Sequence, residues 1–310
     1  MSSPDRRHAV GRVGILRPLR HRDFALLWTG LTVSLLGDGI YLVAVAWQVY
    51  ELSNAPTALS VVGLAWTLPT VLLLLGGGVL SDRFDRRLLM VGADVLRAAA
   101  IGTIAVLSLT GVLELWHLLV LVAVYGAGEA LFLPSVTAIT PVLVPPEELV
   151  QANALEHVIR PLATRFLGPA LGGALVGLGG AGVGFGVDAA SFVISTICVL
   201  AIRPRAAPPQ PEARPSAIAE VREGLTFVRR EPWLWATLCS AGIALLMFWG
   251  PLQVLLPFII KNELHLGAGT FGAVLASGGL GSVVAAFAIG QRGLPRRFVT
   301  WMYVAWSFAT

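Results

Sequence analysis

Charged side chains are scarce here. They make up only 13% of 310 residues, against about a quarter in a soluble domain, so a water-facing globular surface is excluded. Lysine is nearly absent. Lys261 stands alone between Ile260 and Asn262, which rules out the Gly-Lys-Ser/Thr ending of a phosphate loop and with it autonomous ATP hydrolysis. The histidines never form His-Glu-x-x-His, so zinc-protease chemistry is excluded as well. Leu35 stands where the Gly-x-Gly-Asp pattern of intramembrane aspartyl proteases would need its first glycine before Gly37-Asp38. Cys198 and Cys239 both lie inside apolar runs and are expected to be small buried residues, which say nothing of redox compartment. No cofactor, metal or enzyme activity is called for.

What is present is apolar sequence, 56% of the chain, cut into membrane-length pieces. Met1 to Asp23 reads as a short polar tail. The runs that follow are about Phe24 to Tyr50, Ala58 to Leu80, Leu88 to Leu109, Trp116 to Leu143, Asn153 to Leu178 and Phe185 to Ile202. Most exceed the ~20 residues that cross a ~30 Å hydrocarbon core. The first is too long for a signal-peptide core and carries Asp38 in its middle, so it is a retained helix. Gly179 to Gly184 reads as a glycine-rich bend between the fifth and sixth runs. A polar link, 203–232, follows, in which Ile218, Val221, Leu225 and Val228 predict an interfacial amphipathic helix over Ser216 to Arg230. Two more spans are expected at about Trp233 to Ile260 and Thr270 to Gly290. The last run, Phe298 to Thr310, is too short to cross, so the chain is expected to stop inside a ninth helix. The expectation is an all-α polytopic membrane protein: a six-helix bundle over 24–202 and an incomplete second bundle over 233–310.

Eighteen of the twenty-two cations fall in the tail and in the links after the second, sixth and eighth runs. Links of the other parity hold Lys261 alone. The positive-inside rule therefore puts the N-terminus in the cytoplasm and the protein in a cell inner membrane. The basic residues read as topology determinants rather than a nucleic-acid surface. Aligning the exits of runs two and eight sets Asp82-Arg83 opposite Gln291-Arg292 and Arg87 opposite Arg296. A six-helix repeat of this kind relates two bundles about an axis normal to the membrane.

Between runs two and three lies Gly-Val-Leu-Ser-Asp-Arg-Phe-Asp-Arg-Arg, residues 78–87. This turn resembles the major facilitator superfamily signature Gly-x-Leu-Ala-Asp-Arg-x-Gly-Arg-Arg at Gly78, Leu80, Asp82, Arg83, Arg86 and Arg87, with Ser81 for alanine and Asp85 for the second glycine. Ala93-Asp94-Val95-Leu96-Arg97, Gly168-Pro169-Ala170-Leu171-Gly172-Gly173 and Asp188-Ala189-Ala190-Ser191-Phe192 are similar to the superfamily's enterobactin-exporter-like and macrolide-efflux-like bacterial branch. The resemblance spans the whole chain, at about three quarters of the family's usual twelve helices. It implies that the turn latches two bundles on the cytoplasmic side, against a region near the eleventh helix. The bland alternative is a solvated, positive-inside turn.

Ionisable groups inside spans cost ~2.5 to 3.5 kcal/mol each at a helix centre and usually face a cavity or a partner. Asp38 and Glu129 lie near mid-depth; either can carry a proton across, or simply be hydrogen-bonded for packing. Gly126 and Gly128 beside Glu129 leave room for another helix. Asp94 and Arg97, one turn apart, predict a local structural ion pair. Arg165 can attract an anionic substrate, snorkel, or pair with Glu129. Asp188, expected in the outer part of its helix, is a further substrate or proton candidate. Gly168, Pro169, Gly172 and Gly173 predict a bent, closely packed fifth helix. Trp28, Trp47, Trp66, Phe248 and Trp249 can line a cavity or face lipid. The reading is a secondary transporter in the bilayer, exporting amphipathic drugs or siderophore-like small molecules, with protons as the coupling ion. The alternative is a truncated, non-transporting membrane protein that acts only through partners.

Overall fold

The computed structural model describes residues 14–83, 85–203, 226–292 and 300, with the side chains of 75–83, 249 and 286–292 left aside. The first thirteen residues, most of the expected linker helix and nearly all of the last apolar run lie outside the described residues. Among the described residues there is no strand, and eight helices are long and apolar enough to cross a membrane.

The first four spans are single helices: α1 (Arg22–Leu52), α2 (Pro56–Arg83), α3 (Arg86–Leu109) and α4 (Leu115–Leu143). The fifth, Pro146–Gly179, is α5 (Leu149–Pro161) and α6 (Gly168–Gly179) joined by a π-helical turn, Leu162–Leu167. The sixth is α7 (Ala181–Leu200). The seventh, Pro232–Glu263, contains α8 (Pro232–Ala244), a π-helical turn over Leu245–Trp249, and α9 (Gly250–Phe258). The eighth is α10 (Ala268–Arg292).

The expected tail ends earlier than its polarity suggests. Pro18 and Asp23 are buried, and His21 Nε2 sits 3.1 Å from Glu148 Oε2, which ties the start of α1 to the start of the fifth span. The glycine-rich bend also shrinks. Only Gly180 turns, at φ 80°, and α7 is already helical from Ala181. Gly182 and Gly184 serve packing instead, because a Cβ there would meet Leu109 Cγ at 2.8 Å and Ala44 Cβ at 3.0 Å. The expected bend at Pro169 takes the form of the π turn. Proline has no N–H to give back along the helix, so the ladder widens just before Gly168-Pro169. The same Gly-Pro step, Gly250-Pro251, follows the π turn of the seventh span.

α7 packs against both α1 and α3, α4 against α2 and α3, and α6 against α1 and α10. Two of these contacts are backbone on backbone. A Cβ on Gly39 of α1 would lie 2.8 Å from Gly168 Cα, and one on Gly173 would lie 2.9 Å from Gly272 Cα of α10. Small residues give this close approach where lipid offers no hydrophobic drive for helix association.

Substitution should therefore separate glycines by contact. Gly173→Val or Gly39→Val should cost about 1–3 kcal/mol or more by overpacking. Gly186→Ala, with nothing within 4 Å of its Cβ position, should be neutral or slightly stabilising. Thermal unfolding in detergent, followed by tryptophan fluorescence, checks the ordering.

Candidate functional site

The mid-depth ionisable residues meet inside the bundle formed by α1, α3, α4 and α7. Tyr125 of α4 donates from its hydroxyl to Asp38 Oδ1 at 2.8 Å. A buried tyrosine hydroxyl needs such a partner, and the Tyr125 ring is packed on Tyr41 and Phe192, 5.0 and 6.0 Å between centroids. Asp188, wholly buried, lies against Gly37, where any Cβ would collide with Asp188 Oδ1 and the Ser191 hydroxyl. That puts Asp188, eighth of the twenty residues of α7, level with the middle of α1. Ser191 donates to the Asp188 carbonyl at 2.7 Å and lies 3.4 Å from its Oδ1. Asp188 Oδ2 has no hydrogen-bond partner among the described residues.

Asp94 and Arg97 form the expected ion pair within α3, both almost fully buried. The guanidinium carbon stands 4.2 Å from the Phe132 ring centre and 4.4 Å from that of Phe192. Gly128 clears the arginine stem, since a Cβ there would be 2.7 Å from Arg97 Cγ. Arg97 is also within electrostatic reach of Asp38 and Asp188.

Glu129, on the same helix as Tyr125, accepts from Trp66 Nε1 at 2.8 Å. α2 can come this near because of Gly126, whose Cβ would strike the Trp66 carbonyl; Thr70 of α2 donates to the Gly126 carbonyl at 3.1 Å. Arg165 does not join Glu129. It is exposed on the π turn, makes no ion pair among the described residues, and offers its carbonyl as a seat for Gly279 of α10.

The signature turn divides. Gly78, Leu80, Asp82 and Arg83 lie on the last turns of α2, their side chains outside the described residues. Arg86 Nη1 donates to the Ala138 carbonyl at 2.9 Å, and Arg87 donates to the carbonyls of Val199, at 3.0 Å from Nε, and Leu200. The Val199 and Leu200 carbonyls belong to the last turn of α7, at the negative end of its dipole, where Val199 also accepts from the Ile202 N–H at 3.2 Å. Asp85 caps α3, accepting from the Arg87 backbone N–H at 2.9 Å.

At the other end of the bundle, Tyr50 donates to the Val254 carbonyl at 2.7 Å and packs on Phe258, while Lys261 Nζ lies 4.9 Å from the Trp47 ring centre. Sequence reading passed over Tyr50 and Tyr125. The available signal was a phenol inside an apolar run, whose hydroxyl must find a buried acceptor.

These features define a multi-pass membrane protein with an all-helical bundle and a polar interior at mid-depth. The chain belongs to the transmembrane secretion effector family of the major facilitator superfamily, whose profile matches residues 13–303. It is 32% identical over 219 residues to the uncharacterized MFS-type transporter YfiS of Bacillus subtilis, covering 69% of this chain and 51% of that one. It is 27% identical over 237 residues to macrolide efflux protein A of Streptococcus pyogenes, covering 76% and 58%. The enterobactin exporter EntS of Citrobacter koseri is 29% identical over 280 residues, covering 87% and 64%. The chain thus spans between half and two thirds of the length of these relatives, which are transporters rather than enzymes.

Because Asp85 stands where the family signature has glycine, its role is separable. Asp85→Ala should cost about 0.5–2 kcal/mol of stability through the lost cap, whereas Asp85→Gly should cost only a few tenths. Chemical or thermal unfolding of the three proteins side by side checks this. Equal losses for Ala and Gly would show that the carboxylate does something besides capping.

Proposed function

We propose that the protein is a secondary active exporter of amphipathic small molecules, driven by proton antiport and working by alternating access. The observation that carries the reading is the gathering of acids in the interior: Asp94 pairs with Arg97, Asp38 and Asp188 lie within electrostatic reach of the same guanidinium, and Glu129 is nearby, with Arg160 at longer range. Unbalanced charge is too costly in a dry membrane interior to be idle. Protons arriving at these carboxylates relieve the imbalance, and their release on the other side restores it. Asp38 and Glu129 are the coupling residues in this reading, as the mid-depth acids that are not fully buried. Asp188 and Arg165 are the secondary candidates.

The cation distribution supports a cytoplasmic N-terminus in a bacterial inner membrane. In that orientation the Tyr50–Val254 and Gly173–Gly272 contacts fall in the outer half and close it, with the 24–202 bundle and the part beginning at 233 as the rocking units. The Gly78 to Arg87 turn lies at the cytoplasmic end, as a latch would. Export of macrolide- or siderophore-like compounds is carried over from what the named relatives move.

The test is transport in proteoliposomes under an imposed pH gradient, with ethidium, a macrolide and a catecholate siderophore as probes and a sodium gradient as control. We expect gradient-dependent movement of at least one probe, and loss of that dependence in Asp38→Asn with Glu129→Gln. Movement indifferent to the pH gradient, survival of coupling in the double variant, or no movement of any probe would each overturn the proposal.

A further inference from the structure

Arg97 is housed far more elaborately than a local helix pair requires. An (i, i+3) pair such as Asp94 and Arg97 forms readily on any helix surface and is worth little there. Here the guanidinium is only 3% exposed and is clasped between Phe132 of α4 and Phe192 of α7, with Gly128 opening a slot for its stem. A guanidinium carries five N–H donors in a fixed fork. One Nη2 donor goes to Asp94, and the Nε is buried with no hydrogen-bond partner among the described residues.

Two buried acceptors are likewise without a partner, Asp94 Oδ2 on the same helix and Asp188 Oδ2 one helix away. Asp188, Ser191, Phe192 and Ser195 follow one another at helical spacing along one face of α7. That face reaches Arg97 through Phe192, Gly30 through Ser195, and Gly37 through Ser191 and Asp188. A spare donor and two spare acceptors thus stand on the adjoining helices α3 and α7.

We infer that Arg97 is a positioning residue of the coupling site, the counter-charge that Asp94, Asp38 and Asp188 share, and not merely half of a structural pair. The inference rests on the proton-coupling reading above. When a proton forms an O–H bond at Asp188, that carboxyl is neutral and Arg97 stays with Asp94. When the proton leaves to water, the bare carboxylate competes with Asp94 for the guanidinium, whose Nε donor is unspent. The ionisable groups facing this compartment are Asp38 and Tyr41 from α1, Tyr125 and Glu129 from α4, and Asp188 from α7, with Arg160 of α5 at longer range.

Infrared difference spectroscopy of the membrane-reconstituted protein tests this without needing a substrate. The carbonyl band of protonated carboxyl groups is followed against pH and assigned by its loss in Asp188→Asn and Asp38→Asn. In Arg97→Lys, which keeps the charge but loses the fork, we expect the midpoint of that band to move by about one pH unit or more. The Asp94→Asn/Arg97→Gln variant, which removes the pair together, should move it further and cut gradient-driven transport about tenfold or more. An unchanged midpoint in Arg97→Lys, or wild-type gradient-driven transport in the double variant, would show a structural pair only. Wild-type transport that ignores the pH gradient would instead defeat the coupling reading itself, so the two failures are distinct.

Discussion

Everything in this bundle depends on the cost of charge away from water. In a membrane interior a carboxylate or guanidinium must be balanced or hydrogen-bonded by another part of the same chain. Asp38, Asp94 and Asp188 come from three different helices and all lie within electrostatic reach of Arg97, which shares α3 with Asp94 and is held between the Phe132 and Phe192 rings of α4 and α7. The helices are therefore held in register by electrostatics as well as by packing. Buried ion pairs are poor sources of net stability compared with apolar replacements. Four such groups in one compartment are better accounted for by a task than by folding.

That convergence requires backbones to come unusually close, and glycine supplies the means. Gly37 exists so that Asp188 and Ser191 can lie against α1, and Gly128 so that Arg97 can extend past α4. Gly39 and Gly168 bring α1 against the start of α6, next to the same compartment. The glycines thus position the charged site at mid-depth and also form the joint with α10 at Gly173 and Gly272.

Much of this was open to reading from residues alone. Runs of apolar sequence broken by arginine clusters mark the spans because bilayer thickness imposes a length on them, and the structure gives helices over all eight. Asp38, Glu129 and Asp188 stand out because an acid inside such a run is costly. What stayed hidden was pairing across helices. Glu129 is taken by the Trp66 indole rather than by Arg165, and nothing in the spacing of residues 66, 129 and 165 encodes that choice. The Gly179 to Gly184 stretch looked like a bend because glycine serves turns and close packing equally well, and only the neighbours decide. Arg86 and Arg87 read as part of a charged turn, yet their donors serve carbonyls at the ends of α4 and α7, partners far off in sequence.

The split within residues 78–87 has a physical consequence for the family's latch. Arg86 and Arg87 are engaged by carbonyls of the same six-span bundle, and Asp85 by the backbone of its own helix. Groups already satisfied within one bundle gain little by reaching toward another, since a second partner must first displace the one they hold. They fix the pitch of α3 relative to α4 and α7 instead. The fixed α3 is also the helix that carries Asp94 and Arg97, so the turn and the buried charge compartment share one rigid element, Arg86 to Leu109.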